Sequence, residues 1–166
     1  KWISLQSSTG DGTGLLVLDT NDPMNTQDNR GVKLTTSAVN GNLPDNKVTA
    51  FLEDKNGEVW IGTARGIARF LFPRFIVDSQ RSSERQSQWL LNEDTSAVSR
   101  YLLRDSNVSA MAVNGANQKW IGSVNQGLWL LNEEGSAILK RYTEDNSPLI
   151  SNNILSITVN EESGEV

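Results

Sequence analysis

Asp54-Lys-Asn-Gly-Glu-Val-Trp-Ile-Gly-Thr63 is a polar turn running into a short β-prone strand, and the chain writes it more than once. Lys119-Trp-Ile-Gly-Ser123 repeats its second half, and Lys1-Trp-Ile-Ser4 repeats it again with Ser4 in place of the glycine. Each copy is followed by a glycine that opens an apolar run: Gly14-Leu-Leu-Val-Leu, Gly66-Ile-Ala-Arg-Phe and Gly127-Leu-Trp-Leu-Leu. Trp2, Trp60 and Trp120 stand 58 and 60 residues apart. A fixed period of this size marks a repeat architecture, in which one supersecondary unit recurs and buries its faces on its neighbours.

Working outward from the tryptophans gives the unit. Turn-rich lead-ins, 43–48, 103–108 and 149–154, precede β-prone runs at 49–53, 109–113 and 155–159. Asn, Asp, Pro and Ser set turn geometry, whereas the Val, Ile, Phe and Thr of the runs suit a pleated surface. Asp54-Lys-Asn-Gly57 and Asn114-Gly-Ala-Asn-Gln118 then read as tight hairpin turns, since Gly and Asn tolerate positive φ. The Trp-Ile-Gly segment is the second strand. A third is expected at 15–18, 67–72 and 128–131, and a fourth at 32–36, 97–103 and 137–142. Four short antiparallel strands per repeat make a propeller blade. The fold class predicted is therefore all-β: a β-propeller fragment of about three four-stranded blades, circularly shifted, with repeats 1–59, 60–119 and 120–166. A β-sandwich with coincidentally similar hairpins is the competing fold, and the matched phase of Trp-Ile-Gly argues against it.

The residues that define the repeat are Trp2, Trp60, Gly62, Gly66, Trp120, Gly122 and Gly127. The tryptophans are expected to fill the space between blades, the alternative being an exposed ligand platform. The glycine after Trp-Ile is expected to let a neighbouring backbone or ring approach closely. The chain begins with strands two to four of a blade and ends on a bare first strand at Ile154–Val159. Such an edge invites pairing. One expectation is a homodimer that closes a six-bladed ring, the other a fragment of a larger propeller. Polar insertions at 7–13, 19–31 and 74–94 fall on blade faces, either as solvated loops or as the functional surface.

Composition narrows the function. Fifteen Lys and Arg against twenty Asp and Glu give a net charge of −5, with no basic cluster, which argues against nucleic acid as a partner. Histidine and cysteine are both absent, which removes the usual metal ligands, the general base suited to neutral pH and any Ser-His or Cys-His pair. No apolar run is long enough to insert in a membrane. Gly10-Asp-Gly-Thr-Gly14 lacks the Lys-Ser/Thr ending of a phosphate loop. Asp19–Pro23 starts like a calcium loop but puts Pro23 at a ligand position and Met24 where glycine is needed. The carboxylate pairs Glu93–Asp94 and Glu133–Glu134 sit in polar turns and read as solvated charge. Neither a catalytic residue nor a cofactor or metal site is expected. Trp129 lies where other third strands carry Leu or Val and reads as packing. Trp89, at the edge of the polar insertion, reads either as core packing or as a contact to a partner or glycan.

Segments 48–70 and 108–131 resemble the two-component-regulator propeller repeat: a strand, an Asp/Asn-Gly turn, Trp-Ile-Gly-Thr/Ser, then Gly-Ile/Leu and an apolar strand. Gly41-Asn-Leu-Pro-Asp-Asn46, Asn114–Gly122, Gly127-Leu-Trp-Leu-Leu131 and Asn146–Ser151 with Ser163-Gly-Glu-Val166 are similar to PorZ-like propeller proteins of the Bacteroidetes type IX secretion system. The resemblance implies a non-enzymatic, exported protein, periplasmic or at the bacterial cell surface. Its partners would be proteins or a surface polysaccharide such as lipopolysaccharide. A related branch implies the alternative, a glycan-sensing extracytoplasmic module of a hybrid two-component sensor kinase. A polysaccharide-cleaving enzyme is the weakest reading, given the residues that are missing.

Overall fold

A computed structural model of the chain describes residues 1–22, 24–77, 83, 85–94, 96–97 and 99–160. Eleven strands among them form three antiparallel sheets. The first sheet holds β1 (Trp2–Gln6), β2 (Gly12–Asp19) and β3 (Arg30–Leu34) in that order. The second holds β4 (Val48–Glu53), β5 (Val59–Thr63), β6 (Gly66–Phe70) and β7 (Gln88–Trp89). The third holds β8 (Val108–Val113), β9 (Lys119–Ser123), β10 (Leu128–Leu131) and β11 (Ile138–Tyr142). Within each sheet every strand pairs with the next in sequence, the up-and-down meander of a propeller blade. The first sheet has three strands, having no counterpart of β4 and β8, so one of the three expected four-stranded blades is incomplete. Because sheets end after β3 and β7, the repeats 1–59 and 60–119 each cross from one sheet into the next.

The hairpin turns explain themselves locally. Asp54 Oδ1 accepts from the N–H groups of Asn56 and Glu58, both at 3.0 Å, and Asn114 Oδ1 accepts from Ala116 and Gln118 in the same way. Gly57 (φ 76°) and Asn117 (φ 58°) occupy the same left-handed position in the two turns. Only glycine and asparagine adopt that conformation cheaply.

Successive side chains of a strand point to opposite faces, and β5 is buried on both. Val59 and Ile61 join Leu15, Val17, Leu34, Leu43, Phe70 and Ile76 in a core between the first and second sheets, where Trp2 packs 5.3 Å from the Phe70 ring. Trp60 points the other way. It joins Leu90, Leu102, Leu103, Val108, Ile121 and Leu131 between the second and third sheets. The inter-blade role expected of the tryptophans is met in full by Trp60, whose side chain is sealed from solvent.

Spacing between blades is set by Gly62 and Gly122. A Cβ on Gly62 would lie 2.5 Å from Val108 Cγ1, and one on Gly122 would lie 2.6 Å from Ile154 Cγ2. It is thus a β-branched side chain of the following unit that approaches, rather than a backbone or ring. A hydroxyl pins the same residue: Thr49 Oγ1 donates to Val108 O at 2.6 Å, and Ser109 Oγ donates to Ile154 O. Ser4 resolves the exception in the first repeat. The first sheet has no strand to carry a Thr49 equivalent, and Ser4 Oγ itself donates to Val48 O at 2.8 Å.

One sequence expectation is corrected. The fourth strand of the second blade is Gln88–Trp89, paired with Arg69 and Ala68, and not 97–103. Leu103 (φ 51°) and Asp105 (φ 62°) are left-handed, which extended strand excludes, and Leu102 and Leu103 plug the inter-blade core from a turn. Segment 154–159, expected as a bare first strand, joins no ladder among the described residues, and Ile154 is anchored by its N–H to Ser123 O at 3.0 Å. Residues 163–166, quoted above for the family resemblance, lie outside the described residues.

Candidate functional site

The junction of the second and third blades concentrates the polar chemistry. Lys119 opens β9 where β5 has Val59, and its side chain is fully buried. Its Nζ lies 2.9 Å from Asp54 Oδ2, donates to Glu133 O at 2.5 Å and sits 4.7 Å from the Trp60 ring centroid. The Trp60 indole N–H donates to Asp54 Oδ2 at 3.1 Å. A second cation, the Arg69 guanidinium, lies 5.5 Å from the same ring and pairs with Glu58 at 3.2 Å. Burial by itself would raise the Asp54 carboxyl. The Lys119 hydrogen bond, the Glu58 N–H, the Lys119 charge and the Trp60 N–H together outweigh it and hold Asp54 below its ordinary value. Glu58 goes the other way: desolvation and the Asp54 charge raise it despite Arg69. Glu133 is lowered by the amides of Asn117 and Asn56, which reach it from two turns. With every group matched to a partner, this cluster reads as a latch between blades. The sequence carries no distinctive signal for it, since lysine also precedes the repeat tryptophan at Lys1 and only Val59 departs from it.

At the same junction, with none of the latch residues in its lining, is an open cleft of about 240 Å³. Asn92, Ser99, Tyr101 and Arg104 line it from the segment between β7 and β8, and Trp129 and Arg141 from β10 and β11. Leu102 and Leu103, both buried, contribute its apolar lining. Arg141 is ladder partner to Trp129, with its guanidinium 4.3 Å from the ring centroid, and its Nε donates to Gln126 O at 3.0 Å. Trp129 is therefore more than packing: it carries the arginine at a cleft wall. Its own buried N–H meets no acceptor among the described residues, as is true of Trp120.

The residues singled out from sequence are not brought together in one site. Trp2, Trp60 and Trp120 lie in separate sheets, with Trp120 stacked 5.6 Å from Tyr142. Gly14, Gly66 and Gly127 each take positive φ, Gly66 at the first residue of β6 and Gly127 just before β10, whereas Gly14 lies inside β2 opposite Leu5. Trp89 is half-buried, its N–H spent on Asn42 O at 2.7 Å and its ring edge-on to Tyr101 at 5.2 Å. It borders a second depression of about 360 Å³ with Asn42, Ser87, Gln88 and Tyr101, so Tyr101 stands between two hollows. Of the Gly10–Gly14 run, Gly10 and Asp11 lie in the β1–β2 turn and Gly12–Gly14 open β2, and Asp19 pairs with Arg30 at 3.1 Å.

Meandering sheets stacked through glycine-spaced faces define this chain as a segment of a β-propeller. Residues 42–65, which run from the lead-in through β4 and β5, match the family described as Two component regulator propeller. PorZ, described as an essential bacterial surface component of the type-IX secretion system of Porphyromonas gingivalis, superposes with a TM-score of 0.83. It is 28% identical over 96% of this chain and 22% of PorZ. The extracellular domain of the putative one component system BT4673 from B. thetaiotaomicron follows at TM-score 0.63 and 18% identity, over 96% of this chain and 21% of its own. That of the putative hybrid two component system BT3049 gives 0.56 and 21%, over 93% and 18%. The chain thus spans about a fifth of each solved structure it matches. No curated protein matches its sequence.

Proposed function

We propose that this chain is a non-enzymatic binding segment of an exported bacterial propeller protein, acting at the cell surface or in the periplasm in type IX secretion, where it docks a protein or lipopolysaccharide partner. The observation that carries the reading is the likeness to PorZ, at TM-score 0.83 and 28% identity, against 0.63 and 18% for BT4673. Supporting it, the shared charged groups of the Trp60 junction are engaged with each other, as befits a scaffold, and the accessible cleft is built from side chains suited to binding. In the host bacterium, deletion of the gene is expected to trap type IX cargo in the periplasm, and the intact gene to restore its release. Whole-cell protease treatment should reach the protein. Normal cargo release in the deletion strain would refute the secretion role. If that strain instead failed to switch genes on in response to a polysaccharide, the sensor reading would replace it, a reading favoured by the likeness to the BT4673 and BT3049 extracellular domains.

A further inference from the structure

Arg141 is the one strongly placed charge of the cleft without a counterion. Its Nε is held by Gln126 O and its plane by Trp129, yet among the described residues no carboxylate pairs with it. Arg104 adds a second guanidinium, which shares Asp105 at 3.8 Å with Arg65 at 3.2 Å. Among the described residues no Asp or Glu lines the cleft, although the whole chain carries −5. A guanidinium fixed by stacking and a backbone bond loses little entropy when it binds, and the N–H groups left on its two Nη atoms present an end-on fork that fits a carboxylate or ester anion. The remaining polar lining is amide and hydroxyl: Asn92, the Tyr101 phenol, Ser99, whose hydroxyl donates to Tyr101 O at 2.8 Å and is left to accept, and Ser106 bonded to Gln126. At about 240 Å³ the cleft is smaller than the roughly 300–1,000 Å³ typical of pockets for drug-sized ligands, which suits a single ring.

We propose that this cleft binds one negatively charged sugar unit of a surface polysaccharide, with Arg141 and Arg104 on the anionic substituent and Asn92, Ser99 and Tyr101 on ring hydroxyls. This rests on the surface-protein reading above and assigns the polysaccharide partner to a place at the blade junction whose lining includes none of the latch residues. Its failure is separable, since binding in vitro can fail while secretion still depends on the gene.

The test is calorimetric titration of the full-length protein with tetragalacturonate, maltotetraose and tetraglutamate at low and high salt. Tetragalacturonate should bind, weaken with salt, and lose roughly tenfold or more in affinity on Arg141→Gln, the scale of one charge-assisted contact. Arg104→Gln should cost less, because Asp105 already shares that charge. Both side chains are exposed, so unchanged circular dichroism is expected and a fold defect would not masquerade as lost binding. Absence of tetragalacturonate binding, equal binding of maltotetraose, or binding indifferent to both substitutions would overturn the proposal. Arg141-dependent capture of tetraglutamate alone would also overturn it, in favour of an acidic peptide.

Discussion

Replacing Lys119 by methionine removes the positive end of the buried pair while keeping most of the side-chain volume. Asp54 then stays sealed, its carboxylate left with the N–H groups of Asn56, Glu58 and Trp60, and Glu133 O loses its 2.5 Å donor. Both side chains of the pair are fully buried at 2.9 Å, so water cannot substitute. Breaking such a pair from one side costs about 3–5 kcal/mol. At about 2–4 °C per kcal/mol for a domain of this size, the melting temperature should fall by roughly 6–20 °C. Thermal and urea unfolding followed by circular dichroism measure it. Adding Asp54→Asn to Lys119→Met removes both charges but leaves an amide oxygen for Trp60, and should recover most of the loss. Acid unfolding supplies a second readout. The Asp54 carboxyl is depressed in the folded state, so its contribution is present above its unfolded value of 3.8 and fades as pH falls through the lower folded value. In Asp54→Asn that part of the acid limb should vanish. A Lys119→Met loss under about 1 kcal/mol, the range of exposed pairs, would refute the latch. So would a double variant as unstable as the two single losses summed.

Gly62→Ala should destabilise by about 1–3 kcal/mol, because the new methyl must displace Val108, and Gly122→Ala should do likewise against Ile154; urea midpoints test both. Arg65→Ala, by contrast, should change stability by less than about 0.5 kcal/mol, since Arg65 and Asp105 are both well exposed, and a melt within error of wild type is the expected result. Trp89→Phe should cost about 0.5–1.5 kcal/mol through the lost bond to Asn42 O. It should leave tetragalacturonate affinity unchanged, which titration of the purified variant would check.

The strands were legible wherever local chemistry repeats. Trp-Ile-Gly and the Asx turns recur with fixed phase, and all three second strands lie where that phase puts them. Where the chain departs from its period, legibility ended. The insertion after Phe72 hid a two-residue fourth strand, because Gln88–Trp89 is defined by Arg69 and Ala68 across the ladder and by Asn42 from a distant loop, not by any run of its own. An apolar run at 101–103 looked like strand because its burial, as a plug from a turn, leaves the same composition. Trp129 was readable as apolar, but its role depends on Arg141 across the ladder and on the loop that carries Tyr101.

By itself, then, the sequence determined the repeat, the hairpin turns and the all-β class, since those depend on residues near one another in the chain. The tertiary structure alone decided which charges meet. Asp54 and Lys119 belong to different blades and become partners only when the glycine-spaced faces close, and Arg104 and Arg141 share a cleft only because a turn and an outer strand are packed side by side. Such pairings follow from how blades stack, and stacking distance is a property of no single segment.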